Sequence, residues 1–245
     1  MPEPAVSDSA SNGTRGARLG TRLRGALADA YQARGHHCSN LTFVYSPKAG
    51  VDVVLRSSLE YGHFLLCEAS ANIEAVDYGC ERRFAIVDAR LGATEFDAIV
   101  TLITGEVQYR EIKSSEEMAA APQTRAGPQL AIQAQVAAED RALHVVLTER
   151  EIFANAVLIR NWNRVVPWLA QVRDVALNNH FREVAALVRD RGAITLSDVL
   201  ALGEDANAAL FAGAAFKGVQ RGLFASDLDT QALSLHTRFA EGRAQ

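Results

Sequence analysis

The stretch TEFDAIVTLITGEVQYREIKSSEE, residues 94–117, constrains the fold more than any other part of the chain. Two runs rich in Val, Ile, Thr and Tyr flank Thr104-Gly105, the pattern of a half-buried antiparallel hairpin. Around it, Val51–Leu55 reads as a short strand and the residues from Ser57 as a helix with an apolar stripe of Leu59, Phe64, Leu65, Leu66 and Ala69. RFAIVDA gives a strand before the hairpin, and PQLAIQAQVAAEDRA (128–142) a helix with proline near its start. LHVVLTE gives a further strand, and REIFANAVLIRNWNRVVPWL begins a helical stretch. The order α-β-β-β-α-β predicts an α/β core.

Three segments are expected. Residues 1–40, with Arg15, Arg18, Arg22 and Arg24, form a basic arm, partly disordered. Residues 41–165 form the α/β domain. Residues 166–245 hold three helices and two short strands, LFASDL and ALSLHTRF joined at Asp229-Thr230, the outline of a winged helix.

Composition narrows the function. With 49% hydrophobic residues the chain has material for a core, and it lacks any apolar run of about 18 residues that would cross a membrane. The first residues, MPEPAVSDSA, lack the basic and apolar regions of a secretory signal. Cys38, Cys67 and Cys80 are odd in number and without C-x-x-C spacing, so free thiols in a reducing cytoplasm are expected. Net charge is −4, whereas a protein holding DNA alone through many phosphate contacts is usually basic.

The hairpin also gathers charge: Asp97 on its first strand, Glu111 and Lys113 at the end of its second. Residues two apart on a strand share a face, so Glu111 and Lys113 point the same way. A two-residue loop at Thr104-Gly105 would set Asp97 opposite Ile112, on the other face. A three-residue loop, Thr104-Gly105-Glu106, would pair Asp97 with Lys113 and Ile99 with Glu111, and Gly105 can take the left-handed conformation such loops use. The three-residue register is favoured. It brings two carboxylates and an ammonium together, a donor set suited to Mg²⁺, which is often held by one or two carboxylates with waters. The Ile112 carbonyl would add an oxygen, and Lys113 would orient or deprotonate an attacking water. The plain alternative is a surface ion cluster worth tenths of a kcal/mol. Glu60 reads in two ways. It completes a capping box with Ser57, or it reaches the acidic end of the hairpin as a further metal ligand.

In order along the chain, SPKAG, SSLEYGHFLLCEAS, EFDAIV, EIK, VVLTEREI and IRNWNRVVPWL resemble the TnsA endonucleases of heteromeric transposons, within the PD-(D/E)xK superfamily. The resemblance covers roughly residues 45–170. It implies a restriction-endonuclease-like core, a mixed sheet flanked by helices, followed by a winged-helix-like module. It also implies a Mg²⁺-dependent nuclease, with Mn²⁺ as a substitute, cutting double-stranded DNA at transposon ends beside a transposase subunit and an AAA+ ATPase. Glu60, Asp97, Glu111 and Lys113 take the catalytic positions, and Asp97, Glu111 and Glu60 the metal positions. Phe96 stands where family members often have proline, and Cys80-Glu81 where they often have Gln-Pro.

A nuclease-like scaffold without chemistry, or a resolvase- or restriction-type nuclease of the same superfamily, are the competing readings. Arg82, Arg83 and Arg110 are candidates for a DNA groove, and Lys217, Gln220 and Arg221 offer few donors on the presumed recognition helix. Trp162 and Trp168 read as packing anchors, His144 as an ordinary strand residue, and His36-His37-Cys38 lacks metal-ligand spacing.

Overall fold

The computed structural model describes residues 40–204 and 207–242. The basic arm, His36, His37 and Cys38 lie outside the described residues. The chain opens with a hairpin of β1 (Thr42–Ser46) and β2 (Val51–Leu55), then α1 (Ser58–Ala69) and β3 (Ile73–Asp77). A second hairpin, β4 (Arg83–Val87) and β5 (Arg90–Thr94), precedes the pair anticipated above, β6 (Ala98–Leu102) and β7 (Val107–Ile112). After α2 (Ser115–Ala120) come α3 (Ala126–Glu139), β8 (Leu143–Leu147), α4 (Glu149–Ile152) and the long α5 (Ala156–Gln171).

The fold is α/β. Its central sheet has the order β3-β6-β7-β8, with β7 and β8 parallel and the other neighbours antiparallel. Alternation along the strands sends side chains to two helical layers. Ala98 and Val100 pack with Ile73, Val76 and Cys67 of α1 on one face. Tyr109 and Phe96 pack with Val136 and Ala137 of α3 on the other. Strands β1 and β3 lie in short, partly exposed segments whose periodicity the sequence shows poorly.

The C-terminal elements are α6 (Asn178–Arg191), β9 (Ala193–Thr195), α7 (Leu196–Leu200), α8 (Asn207–Gln220), β10 (Phe224–Ser226) and β11 (Arg238–Glu241). Their strands make an antiparallel sheet of order β10-β11-β9. The two last strands do pair, but residues 227–237 separate them, so the tight turn expected at Asp229-Thr230 is replaced by a long connection. Residue 165 falls inside α5, which runs on to Gln171. Trp162 of α5 is fully buried in a core that joins Phe64 and Leu65 of α1 to Phe211 and Phe216 of α8, and the Trp168 ring meets Phe216 edge-on at 6.0 Å. Among the described residues, no helix is long and apolar enough to cross a membrane.

Candidate metal and phosphodiester site

The hairpin register differs from the expected one by two positions. Ala98 pairs with Arg110 and Ile99 with Tyr109, so neither Asp97–Lys113 nor Ile99–Glu111 is a strand pair. The loop has three residues, as expected, but they are Ile103-Thr104-Gly105, closed by the Leu102 N–H donating to the Glu106 carbonyl and the Gly105 N–H donating to the Leu102 carbonyl, each at 2.9 Å. Gly105 does take the left-handed conformation, at φ 82°. An offset of two preserves every face, so the apolar pattern cannot distinguish the two registers.

Asp97 sits at a bend just before β6. Its N–H donates to the Arg110 carbonyl (3.1 Å), although Arg110 is already the partner of Ala98. Two residues opposite one is the count of a β-bulge, a device that re-aims a side chain. The carboxylate is then fixed by the Ile112 N–H, which donates to Asp97 Oδ2 at 2.7 Å. Oδ1 accepts no hydrogen bond among the described residues. Burial, reinforced by the neighbouring Glu111 carboxylate, raises the Asp97 pKa to about 7, against the relief given by the Ile112 N–H.

Glu111 lies on β7, only 2% exposed. Lys113 Nζ is 2.7 Å from its Oε1, and Gln133 Nε2 donates to its Oε2 at 2.6 Å. Gln129 Nε2 reaches Oε1 at 3.4 Å. Lys113 stands just beyond the strand, its N–H held by the Leu147 carbonyl of β8 at 3.1 Å. Burial disfavours the Lys113 ammonium, yet its hydrogen bond and attraction to Glu111 leave the pKa above normal.

Glu60 occupies the first turn of α1. Ser57 caps that helix, accepting the Glu60 N–H, but the Glu60 carboxylate reaches one residue further back than a capping box requires, accepting the Arg56 N–H at 2.8 Å. Glu60, Asp97, Glu111 and Lys113 all line one cavity of about 470 Å³. The same walls carry Arg56, Glu95, Cys80 and Gln129, so Glu60, Glu95, Asp97 and Glu111 stand against two cations.

Other candidates lie elsewhere. Arg83 pairs with Asp140 at 2.9 Å, on the side of α3, and Arg110 turns to Gln108, His63 and Cys67, so neither lines the cavity. His144 stacks edge-on against Phe96 with centroids 6.1 Å apart. Gln129 and Gln133 were not anticipated. The signal was present in PQLAIQAQ, where an i, i+4 amide pair shares the helix face of Val136 and Ala137.

Among the described residues, no group of three or more His, Cys, Asp or Glu side chains is gathered to hold a metal. Two carboxylates remain, Asp97 and Glu111, with a free oxygen on Asp97, whose proton affinity is raised first by burial and then by the Glu111 charge. That set fits a hard cation that keeps several waters. No family model and no curated protein matches the chain.

Proposed function

We propose that the cavity hydrolyses phosphodiester bonds of double-stranded DNA, in a metal-dependent endonuclease of the TnsA type. The observation that carries this reading is the convergence of Asp97, from the bend before β6, and Glu111, from β7, with Lys113 and Glu60 on the same cavity. Asp97 and Glu111 would hold Mg²⁺, with Glu60 beyond them. A bound divalent ion supplies Lewis acidity and lowers the pKa of a coordinated water. Asp97 Oδ1 is the open donor, and Gln133, Gln129 and Lys113 hold the Glu111 carboxylate in one orientation. Lys113, kept protonated by Glu111, is placed to stabilise negative charge on a phosphate rather than to serve as the base.

An acidic cavity repels DNA phosphates in the absence of a cation, which favours delivery by partner proteins over tight binding by the chain itself. The resemblance of residues 45–170 names those partners as a transposase subunit and an AAA+ ATPase. The order helix-strand-helix-helix-strand-strand after Asn178 supports a winged-helix reading of the C-terminal part. Its third helix, α8, buries Phe211, Ala212, Ala215 and Phe216 within the protein, so that helix is not free to enter a DNA groove. That burial argues against base readout by α8 and is compatible with a protein-binding role for this part.

Titration with Mn²⁺, followed by the loss of the free-ion EPR signal, tests the site. One saturable site is expected, abolished in Asp97→Asn and in Glu111→Gln, with plasmid cleavage in Mn²⁺ lost in both. A protein that takes up no Mn²⁺, or whose Mn²⁺ site survives both substitutions, would sink the proposal.

A further inference from the structure

Lys217 in the last turn of α8 and Arg221 just past its end lie one turn apart, the Arg221 N–H donating to the Lys217 carbonyl at 3.1 Å. Both side chains line a pocket of about 410 Å³ between α6 and α8, together with Arg182, Leu177, Phe181 and Leu223. No Asp or Glu lines this pocket, in contrast to the four carboxylates of the cleft. Among the described residues, no carboxylate forms an ion pair with Lys217, Arg221 or Arg182. Arg182 is held in place by the Asn179 side chain and the Asn178 carbonyl, the latter at 3.4 Å. Lys217 is partly buried, and both that burial and the nearby Arg221 charge disfavour its ammonium. Three cations therefore line one pocket with no ion-paired carboxylate, and their summed potential favours an anion there.

The pocket is a different place from the cleft. Gln220, beside Arg221, donates to Glu68 Oε2 (2.6 Å) at the C-terminal end of α1, whereas Glu60 faces the cleft from its first turn. Eight residues of helix separate them, roughly 12 Å along the axis. A second hollow lined by Lys217 and Arg221, with Lys48 and Glu74 also on its walls, includes Ile103, at the opposite end of β6 from Asp97.

We propose that the α6–α8 pocket binds a phosphate-bearing ligand through Lys217, Arg221 and Arg182. Arginine forks match phosphate oxygens in pairs, and lysine adds a point charge. The ligand is either a small phosphorylated molecule or the backbone of a nucleic acid remote from the cleft, and the chemistry is the same for both. The site stands whether or not the cleft cuts DNA.

The probe is inorganic pyrophosphate, titrated calorimetrically into the whole protein in EDTA so that no divalent metal bridges it to the cleft. Saturable one-to-one binding is expected. Lys217→Met and Arg221→Glu should each weaken it by about tenfold or more, the cost of one charge-assisted contact, while Asp97→Asn leaves it unchanged. Lys217→Met removes a partly buried charge and keeps the aliphatic stem, so the variant is expected to fold, with a Tm no lower than that of the parent. Displacement of pyrophosphate by a short DNA duplex would assign the phosphates to nucleic acid, and failure to displace it would assign them to a small molecule. Absence of saturable binding, or binding that responds to Asp97→Asn and not to the Lys217 and Arg221 variants, overturns the proposal.

Discussion

The Ile112 N–H donates to Asp97 Oδ2 across 2.7 Å, so the backbone of the strand that carries Glu111 also fixes the second carboxylate of the cleft. This bond favours the ionised aspartate, yet burial and the Glu111 carboxylate outweigh it and lift the pKa to about 7. A folded-state pKa above the unfolded value means that stability is greatest while the group stays protonated, below the ordinary aspartate range. It is lost as pH rises through about 7. Asp97→Asn keeps an acceptor for the Ile112 N–H and removes the charge. Its Tm should exceed the parent's at pH values above 7, with the difference shrinking toward the ordinary aspartate pKa, as read by thermal melts across pH. If the parent is the more stable protein at alkaline pH, Asp97 is not held in an unfavourable charged state.

Lys113 is the only cation within bonding reach of Glu111 among the described residues. Glu111 is nearly inaccessible, so removing the ammonium leaves a buried charge with two amide donors and no counter-ion. A surface ion cluster would cost tenths of a kcal/mol to break, whereas a buried pair costs about 3 kcal/mol. Lys113→Met is therefore expected to be strongly destabilised at neutral pH, and to recover when Glu111 is also changed to Gln. Urea denaturation of the two single variants and the double variant measures the coupling directly.

The hairpin and its loop length were legible in the sequence because Val, Ile and Tyr alternate around a Thr-Gly turn, and Gly105 needs the left-handed conformation. The location of the loop was not. A shift of two positions keeps Val100 and Tyr109 on their proper faces, and nothing in the pattern penalises it. The position of Asp97 escapes the pattern for a second reason. It lies at a bulge, where strand alternation no longer dictates direction, and a backbone N–H aims it instead. The burial of Glu111 depends on α3, which is distant in sequence, so charge spacing along β7 could not separate a buried pair from an exposed one.

Gln133 has no exposure and spends its amide N–H groups on Glu111 Oε2 and on the Glu95 carbonyl, at 2.6 and 3.1 Å. It thereby ties α3 to both walls of the cleft. Gln133→Leu keeps the volume but leaves Glu111 Oε2 without its amide donor and the Glu95 carbonyl with only the Thr94 hydroxyl, at 3.3 Å, a cost of about 1–3 kcal/mol. Loss of the same donor frees the Glu111 carboxylate to rotate. Mn²⁺ affinity is expected to fall by more than in a variant of equal instability placed away from the cleft, such as Val199→Ala. Equal affinities in the two variants would show that Gln133 is purely structural.

Gly62 lies inside α1, two residues after Glu60, where glycine weakens a helix by about 1 kcal/mol relative to alanine. The packing explains its presence. A Cβ at this position would stand 2.7 Å from two ring carbons of Phe153 and 2.8 Å from Ile152 Cγ2, closer than real contacts allow. Ile152 is fully buried and has no room to retreat. The glycine thus lets α1 sit directly on the end of α4, and this seating sets the height of Glu60 at the cleft. Gly62→Ala should lower stability by about 1–3 kcal/mol, the overpacking cost exceeding the gain in helix propensity. Far-UV circular dichroism during urea denaturation reads the sign. A stabilised Gly62→Ala variant would mean that α1 and α4 do not approach this closely, and the placement of Glu60 would have to be revised with them.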